Sequence, residues 1–128
     1  MVTATPAHMG TLSALVPMVH VASVPRSIAF YERLGFMVRD AFSPPDQPEP
    51  NWAWLQSGGA SLMVVRASAP VSGASIILCL YCDDVPRFHA VVQQAGVSVE
   101  EITYPPERPR GRFRVTDPDG YDLAITHT

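Results

Sequence analysis

The chain has 128 residues, a formal net charge of −3 and 47% hydrophobic residues, enough for one ordinary domain with its own core. All nine basic side chains are arginines and do not outnumber the twelve acids, so the basic excess of a nucleic-acid binder is missing. No apolar run reaches the roughly 18 residues of a membrane span, two cysteines are too few for a disulfide scaffold, and the N-terminus lacks the layout of a signal peptide; the expected location is the cytoplasm, with no membrane or nucleic-acid partner.

Residues 1–13 read as a tail, in which His8 and Met9 resemble a cloning junction. From there the sequence repeats itself at a constant offset of 61. Val24-Pro25-Arg26 recurs as Val85-Pro86-Arg87, Gly35 as Gly96, Gly59 as Gly120 and Leu62 as Leu123, while Val16, Val19 and Val64 return as Ile77, Leu80 and Ile125. The chain therefore divides into a first module with its linker, residues 14–74, and a second module, 75–128.

Each module opens with an apolar run of strand length, 15–21 or 76–82. An N-cap residue follows, Ser23 or Asp84, with a proline in the first helical turn, where its missing N–H costs nothing. Ile28, Tyr31 and Leu34, and then Phe88, Val91, Val92 and Ala95, recur at helical spacing, and Gly35 and Gly96 stand where a left-handed C-cap belongs. Three strands are expected after each helix, near 36–42, 51–56 and 60–66, then 97–103, 111–117 and 121–127. The predicted fold is α+β: two tandem βαβββ modules whose curved mixed sheets surround a concave cleft. The prolines at 44–50 and 105–109 read as two stiff loops.

The closing Asp117-Pro118-Asp119-Gly120-Tyr121 fits a type I turn with a bulge, which pairs 114 with 124 and 116 with 122. Phe113, Val115, Tyr121, Leu123 and Ile125 then share an apolar face under the helix, and Arg112, Arg114, Thr116, Asp122, Ala124 and Thr126 share the cleft face. The offset carried back places Asn51, Ala53, Leu55, Ser61, Met63 and Val65 on the cleft face; Trp52 and Trp54, two apart, read either as a stacking platform or as core aromatics, and their equivalents Phe113 and Val115 favour the core beneath the helix. Val16, Met18 and His20, with Ile77, Cys79 and Tyr81, join the cleft face by alternation.

The expected ligand contacts are Met18, His20, Met63, Cys79, Tyr81, Arg112, Arg114 and Asp122. His20 reads either as a ligand contact or as a structural histidine, with Tyr81 at the matching place in the second module. Arg112 and Arg114 call for anionic partners, and Asp122 is within reach as one of them. Cys79 and Cys82 have metal or redox spacing, but residues three apart on a strand point to opposite faces, so two free thiols are expected. No catalytic triad, phosphate loop or dinucleotide fingerprint is present.

The paired modules, the helix segment from Val24 to Phe36 ending Phe30-Tyr31-Glu32-Arg33-Leu34-Gly35-Phe36, and Asp117-Pro118-Asp119-Gly120 together resemble the vicinal-oxygen-chelate superfamily, which includes glyoxalase I, extradiol dioxygenases, fosfomycin-resistance transferases and bleomycin-resistance proteins. The resemblance implies four metal-ligand places, which fall here on Val16, Met63, Ile77 and Ala124. None of these offers the oxygen or nitrogen donor that such a metal requires. The segments Leu15-Val16-Pro17-Met18 and Gly111–Pro118 look most like the bleomycin-resistance branch, which implies a metal-free, cofactor-free homodimer that sequesters a small molecule, an antibiotic or metabolite. Inward arginines speak against cationic bleomycin itself. The alternative is a metal-dependent enzyme of the same superfamily, with His20, Asp122 and Glu101 as reserve ligands; a third reading is an interaction domain with no small ligand.

Overall fold

The computed structural model describes residues 10–73 and 75–128. His8 and Met9 lie outside the described residues. The elements run β1 (Met18–Val21), α1 (Val24–Glu32), β2 (Met37–Phe42), β3 (Trp52–Ser57), β4 (Ala60–Arg66), β5 (Ile77–Cys82), α2 (Val85–Gln94), β6 (Arg112–Thr116) and β7 (Asp122–His127). They form two mixed sheets, ordered β1-β4-β3-β2 and β5-β7-β6. In each, the strand before the helix runs parallel to the last strand of its module, a connection that the intervening helix makes possible.

The helix signals act as read. Ser23 Oγ accepts the Arg26 N–H at 3.3 Å and Asp84 Oδ1 accepts the Arg87 N–H at 3.1 Å, with Pro25 and Pro86 in the first turns. Gly35 and Gly96 follow the helices at φ of 94° and 90°, values that a side chain would strain. Helix α1 lays Val24 and Tyr31 on the first sheet, and α2 lays Val85 and Val92 toward the second. The His89 ring stands edge-on to Phe113 at 4.7 Å. The helix-covered faces share one buried cluster, from Val19, Leu55 and Val64 through Val85 and Val92 to Phe113, Leu123 and Ile125.

Two expectations are corrected. The strand expected at 97–103 does not form; the backbone of this segment pairs with β6 through an isolated bridge at Thr103 and a Glu100 N–H donated to the Arg114 carbonyl at 3.2 Å. Prolines at 105, 106 and 109 in the following loop leave little chance of a continuous ladder there.

The second correction concerns β3. Ala53 and Leu55 are fully buried in the core, while Trp52 and Trp54 lie on the helix-free face. The cause is hairpin length. Two residues separate the paired Ser57 and Ala60, whereas five separate Thr116 and Asp122. As a result β4 and β7 keep the offset of 61, but β3 and β6 match at 60: Trp54 opposes Met63 as Arg114 opposes Ala124. A slip of one residue turns every side chain of a strand to the other face.

The Asp117–Tyr121 turn joins the two sheets. Asp117 Oδ1 accepts the backbone N–H groups of Asp119 and Tyr121 at 2.8 and 2.9 Å, and its Oδ2 accepts the Tyr31 hydroxyl of α1 at 2.7 Å. Asp119 Oδ1 accepts the Ala22 N–H at 2.8 Å and pairs with Arg26 at 3.4 Å. The Tyr121 hydroxyl donates to the His20 carbonyl of β1 at 2.8 Å. A motif legible as a turn thus serves also as the clasp between modules.

Candidate functional site

The strand registers arrange the helix-free faces in rows. On the first sheet Met18, Met63 and Trp54 stand side by side, followed by His20, Val65, Trp52 and Phe42. On the second sheet Cys79, Ala124 and Arg114 form one row, with Tyr81, Thr126 and Arg112 on one side and Ile77, Asp122 and Thr116 on the other. The eight expected contacts therefore divide into two groups. Met18, His20 and Met63 share the first sheet; Cys79, Tyr81, Arg112, Arg114 and Asp122 share the second.

Within the second group the charges are matched locally. Arg114 pairs with Asp122 at 3.4 Å and Arg112 with Glu107 at 3.8 Å. Both pairs are solvent-exposed, so they hold little energy and leave the guanidinium groups free to exchange partners. Arg108 lies 5.7 Å from the Tyr81 ring centre. On the first sheet, the bulge between Val38 and Asp40 makes Arg39 the extra residue of β2, and its guanidinium stacks 4.6 Å above the Trp54 ring. The buried Trp54 indole nitrogen finds no acceptor among the described residues. Arg39 and Phe42 are not legible from the sequence, and Trp52 and Trp54, which also read there as a stacking pair, are assigned to the core by the repeat offset; the short Ser57–Ala60 hairpin is the available signal.

A cavity of about 620 Å³ opens at the seam between the modules, walled by Tyr31, Leu34, Phe36 and Leu62 on one side and Leu78, Leu80 and Phe88 on the other. Of the eight expected contacts it holds Cys79 and Tyr81. Burial pushes the Tyr31 phenol far above its usual range, reinforced by its hydrogen bond to Asp117 and the nearby carboxylates. Burial also raises Tyr121, helped by Asp117 and Asp119 and opposed in part by a backbone hydrogen bond from His20. Both tyrosines are held as neutral donors and serve the clasp. Burial is likewise the main cause that raises the Cys82 thiol; a backbone hydrogen bond from Asp84 lowers it in part, and the charges of Asp83 and Asp84 raise it further. Cys79 and Cys82 are both free, the first exposed and the second half-buried, in keeping with their alternation along β5.

The four places that the resemblance assigns to metal ligands hold side chains without an oxygen or nitrogen donor: Val16 just before β1, Met63 in β4, Ile77 at the start of β5 and Ala124 in β7. Among the described residues no three His, Cys, Asp or Glu side chains gather as a metal site. The donor set present does not fit the divalent ion of the fold's enzymes.

The mixed parallel and antiparallel sheets, each carrying one helix and one open face, are those of a two-module vicinal-oxygen-chelate protein. The chain belongs to the Glyoxalase/Bleomycin resistance protein/Dioxygenase superfamily, whose model matches residues 12–125. Among solved structures it is similar to the bleomycin-binding protein of bleomycin-producing Streptomyces verticillus complexed with copper(II)-bleomycin, at 20% identity and a TM-score of 0.72, covering 94% of this chain and 99% of that one. TioX from Micromonospora sp. ML1 aligns at 22% identity and a TM-score of 0.75, covering 90% and 98%. TnmS3, an antibiotic binding protein from Streptomyces sp. CB03234, aligns at 23% and 0.69, covering 92% and 98%. No curated protein matches the sequence. Among the described residues no helix is long and apolar enough to cross a membrane.

Proposed function

We propose that this chain binds and sequesters a small organic molecule, an antibiotic or metabolite, without a metal and without turnover. One observation carries the reading. The open faces of both sheets display large apolar side chains and arginines that the core does not use, including Met18, Phe42, Ile77 and Tyr81, each at least half exposed, while the four metal-ligand places lack donors. Exposed apolar surface of this kind marks a binding surface. Structural neighbours described as bleomycin-binding and antibiotic-binding support it.

The binding residues are Met18, His20 and Met63 on the first sheet and Cys79, Tyr81, Arg112, Arg114 and Asp122 on the second. Because these groups lie on separate sheets, the cleft is completed in a homodimer, where the first sheet of one copy meets the second sheet of the other. The protein works in the cytoplasm, which keeps Cys79 and Cys82 reduced.

Thermal shift against a panel of antibiotics, bleomycin included, tests the reading together with metal analysis of the dialysed protein. A true ligand at a hundred times its Kd stabilises the fold by about 2.7 kcal/mol, and Arg114→Ala weakens any anionic ligand found. A stoichiometric transition metal retained through dialysis, with turnover of a glyoxalase, dioxygenase or thiol-transferase substrate, overturns it in favour of the enzyme reading.

A further inference from the structure

We infer that the open face of the first sheet is a site for a planar aromatic carboxylate, with Arg39 taking the carboxylate and the Trp52 side of the wall taking the ring. The inference rests on the small-molecule reading above and names the ligand class of its first wall.

Two independent features point the same way. The first is the pair of tryptophans. Trp52 and Trp54 sit two residues apart on β3, about 7 Å along the strand, on the face opposite the helix, in rows completed by Met18, Met63, His20, Val65 and Phe42. The core side of the same strand needs only Ala53 and Leu55, so two indoles on the open side are not explained by the fold. Indole faces bind flat π systems by stacking.

The second feature is Arg39. Its guanidinium carbon lies over the Trp54 ring, 4.6 Å from the ring centre, and a guanidinium is the group that meets a carboxylate through two parallel hydrogen bonds. Among the described residues no carboxylate comes within 4.0 Å of it, and the ion pairs there are made by Arg26, Arg112 and Arg114. Asp40 is the neighbouring acid and pairs with Trp54 across the strands, but its Oδ1 accepts the Ala41 N–H at 2.9 Å and it forms no ion pair with Arg39. The bulge at Val38–Asp40 is the device that supplies this residue, since a regular strand has no side chain to spare at that point.

A cationic ligand gains nothing from Arg39 and is repelled by it. A neutral aromatic gains only the stack.

The indole signals of the two tryptophans give a direct test by NMR, with Trp52→Phe and Trp54→Phe each removing one signal to assign the other. Three matched probes are titrated into the full chain: 2-naphthoate, 2-naphthamide and 2-naphthylmethylammonium. Naphthoate is expected to move both indole signals and to bind at least tenfold tighter than the amide, with the ammonium weakest. Arg39→Gln abolishes the preference for the acid and leaves the amide affinity unchanged; Arg39→Lys, which keeps the charge and loses the planar fork, restores only part of it. Equal binding of acid and amide, or an unchanged preference in Arg39→Gln, overturns the proposal. So do indole signals that respond to protein concentration but not to naphthoate, which would assign this face to contact with a second copy of the chain alone. If naphthoate is silent while an antibiotic stabilises the protein, this inference fails and the sequestering function stands; if every probe and antibiotic is silent, both fail.

Discussion

Tyr31→Phe isolates the clasp between the two modules. The substitution removes one oxygen and leaves the ring, which is edge-on to Phe30 at 5.1 Å and to Phe36 at 5.8 Å, so packing is preserved and no cavity opens. What is lost is the 2.7 Å hydrogen bond to Asp117 Oδ2 in a buried setting. Asp117 keeps two backbone donors on Oδ1, but Oδ2 is left facing the aromatic core. A hydrogen bond to a charged group contributes about 1.5–3 kcal/mol, and an orphaned buried acceptor lies in the same range. The expected loss is therefore about 2 kcal/mol, or about 7 °C in Tm for a chain of this length. Urea denaturation measures it, with an unchanged m-value showing that the folded state stays compact. A cycle with Asp117→Asn then separates the pair from its surroundings, and a coupling of about 1–2 kcal/mol is expected. A loss below 0.5 kcal/mol, or no coupling, refutes the view that this contact holds the modules together.

Three further outcomes follow from the same coordinates. Above pH 10 the unfolded chain releases the phenolic protons of Tyr31 and Tyr121, whose folded-state pKa values are raised; the folded chain then binds more protons and stability falls as pH rises, by at most about 1.4 kcal/mol per pH unit per tyrosine. A pH series of urea midpoints should show this alkaline fall, shallower in Tyr31→Phe. With a thiol reagent at pH 8, exposed Cys79 reacts first and Cys82 lags, because its raised thiol pKa and half-burial both suppress the reactive thiolate; mass spectrometry of partly labelled protein reads the order, and preferential labelling of Cys82 would contradict it. Gly111→Ala should cost more than 2 kcal/mol in urea, since its Cβ would stand 2.8 Å from Ile102 Cγ2 at a φ of 109°, while Gly96→Ala at φ 90° meets open space and should cost about 1 kcal/mol, the backbone strain alone.

The sequence carried the fold well wherever local chemistry is self-sufficient. Ser23, Pro25 and Gly35 bracket α1, and Asp84, Pro86 and Gly96 bracket α2, without help from tertiary contacts. The Asp117–Gly120 turn fixed the β6–β7 register, so Phe113, Val115, Leu123 and Ile125 were placed in the core and Arg112, Arg114 and Asp122 on the open face. The edge segment at 97–103 was less legible. An edge strand has one neighbour and gains half the ladder bonds of an inner one, so apolar alternation at Val97 and Val99 is compatible with a loop that merely packs.

The face of β3 was misread for a reason that matters to function. Internal homology transmits sequence position, whereas a sheet transmits pairing, and the two part company when a hairpin changes length. With Leu62 and Leu123 equivalent, the two-residue turn at Gly58–Gly59 draws β3 forward by one residue relative to β6. The residues that occupy the same place on the open faces are then Trp52 with Arg112 and Trp54 with Arg114, not Asn51 and Ala53. One module thus presents indole rings where the other presents guanidinium groups. The fold tolerates this because neither set reaches the core, where Ala53 and Leu55 match Phe113 and Val115 instead. The asymmetry is confined to the surfaces that meet a ligand, which is where duplicated modules are free to diverge once the shared core is satisfied.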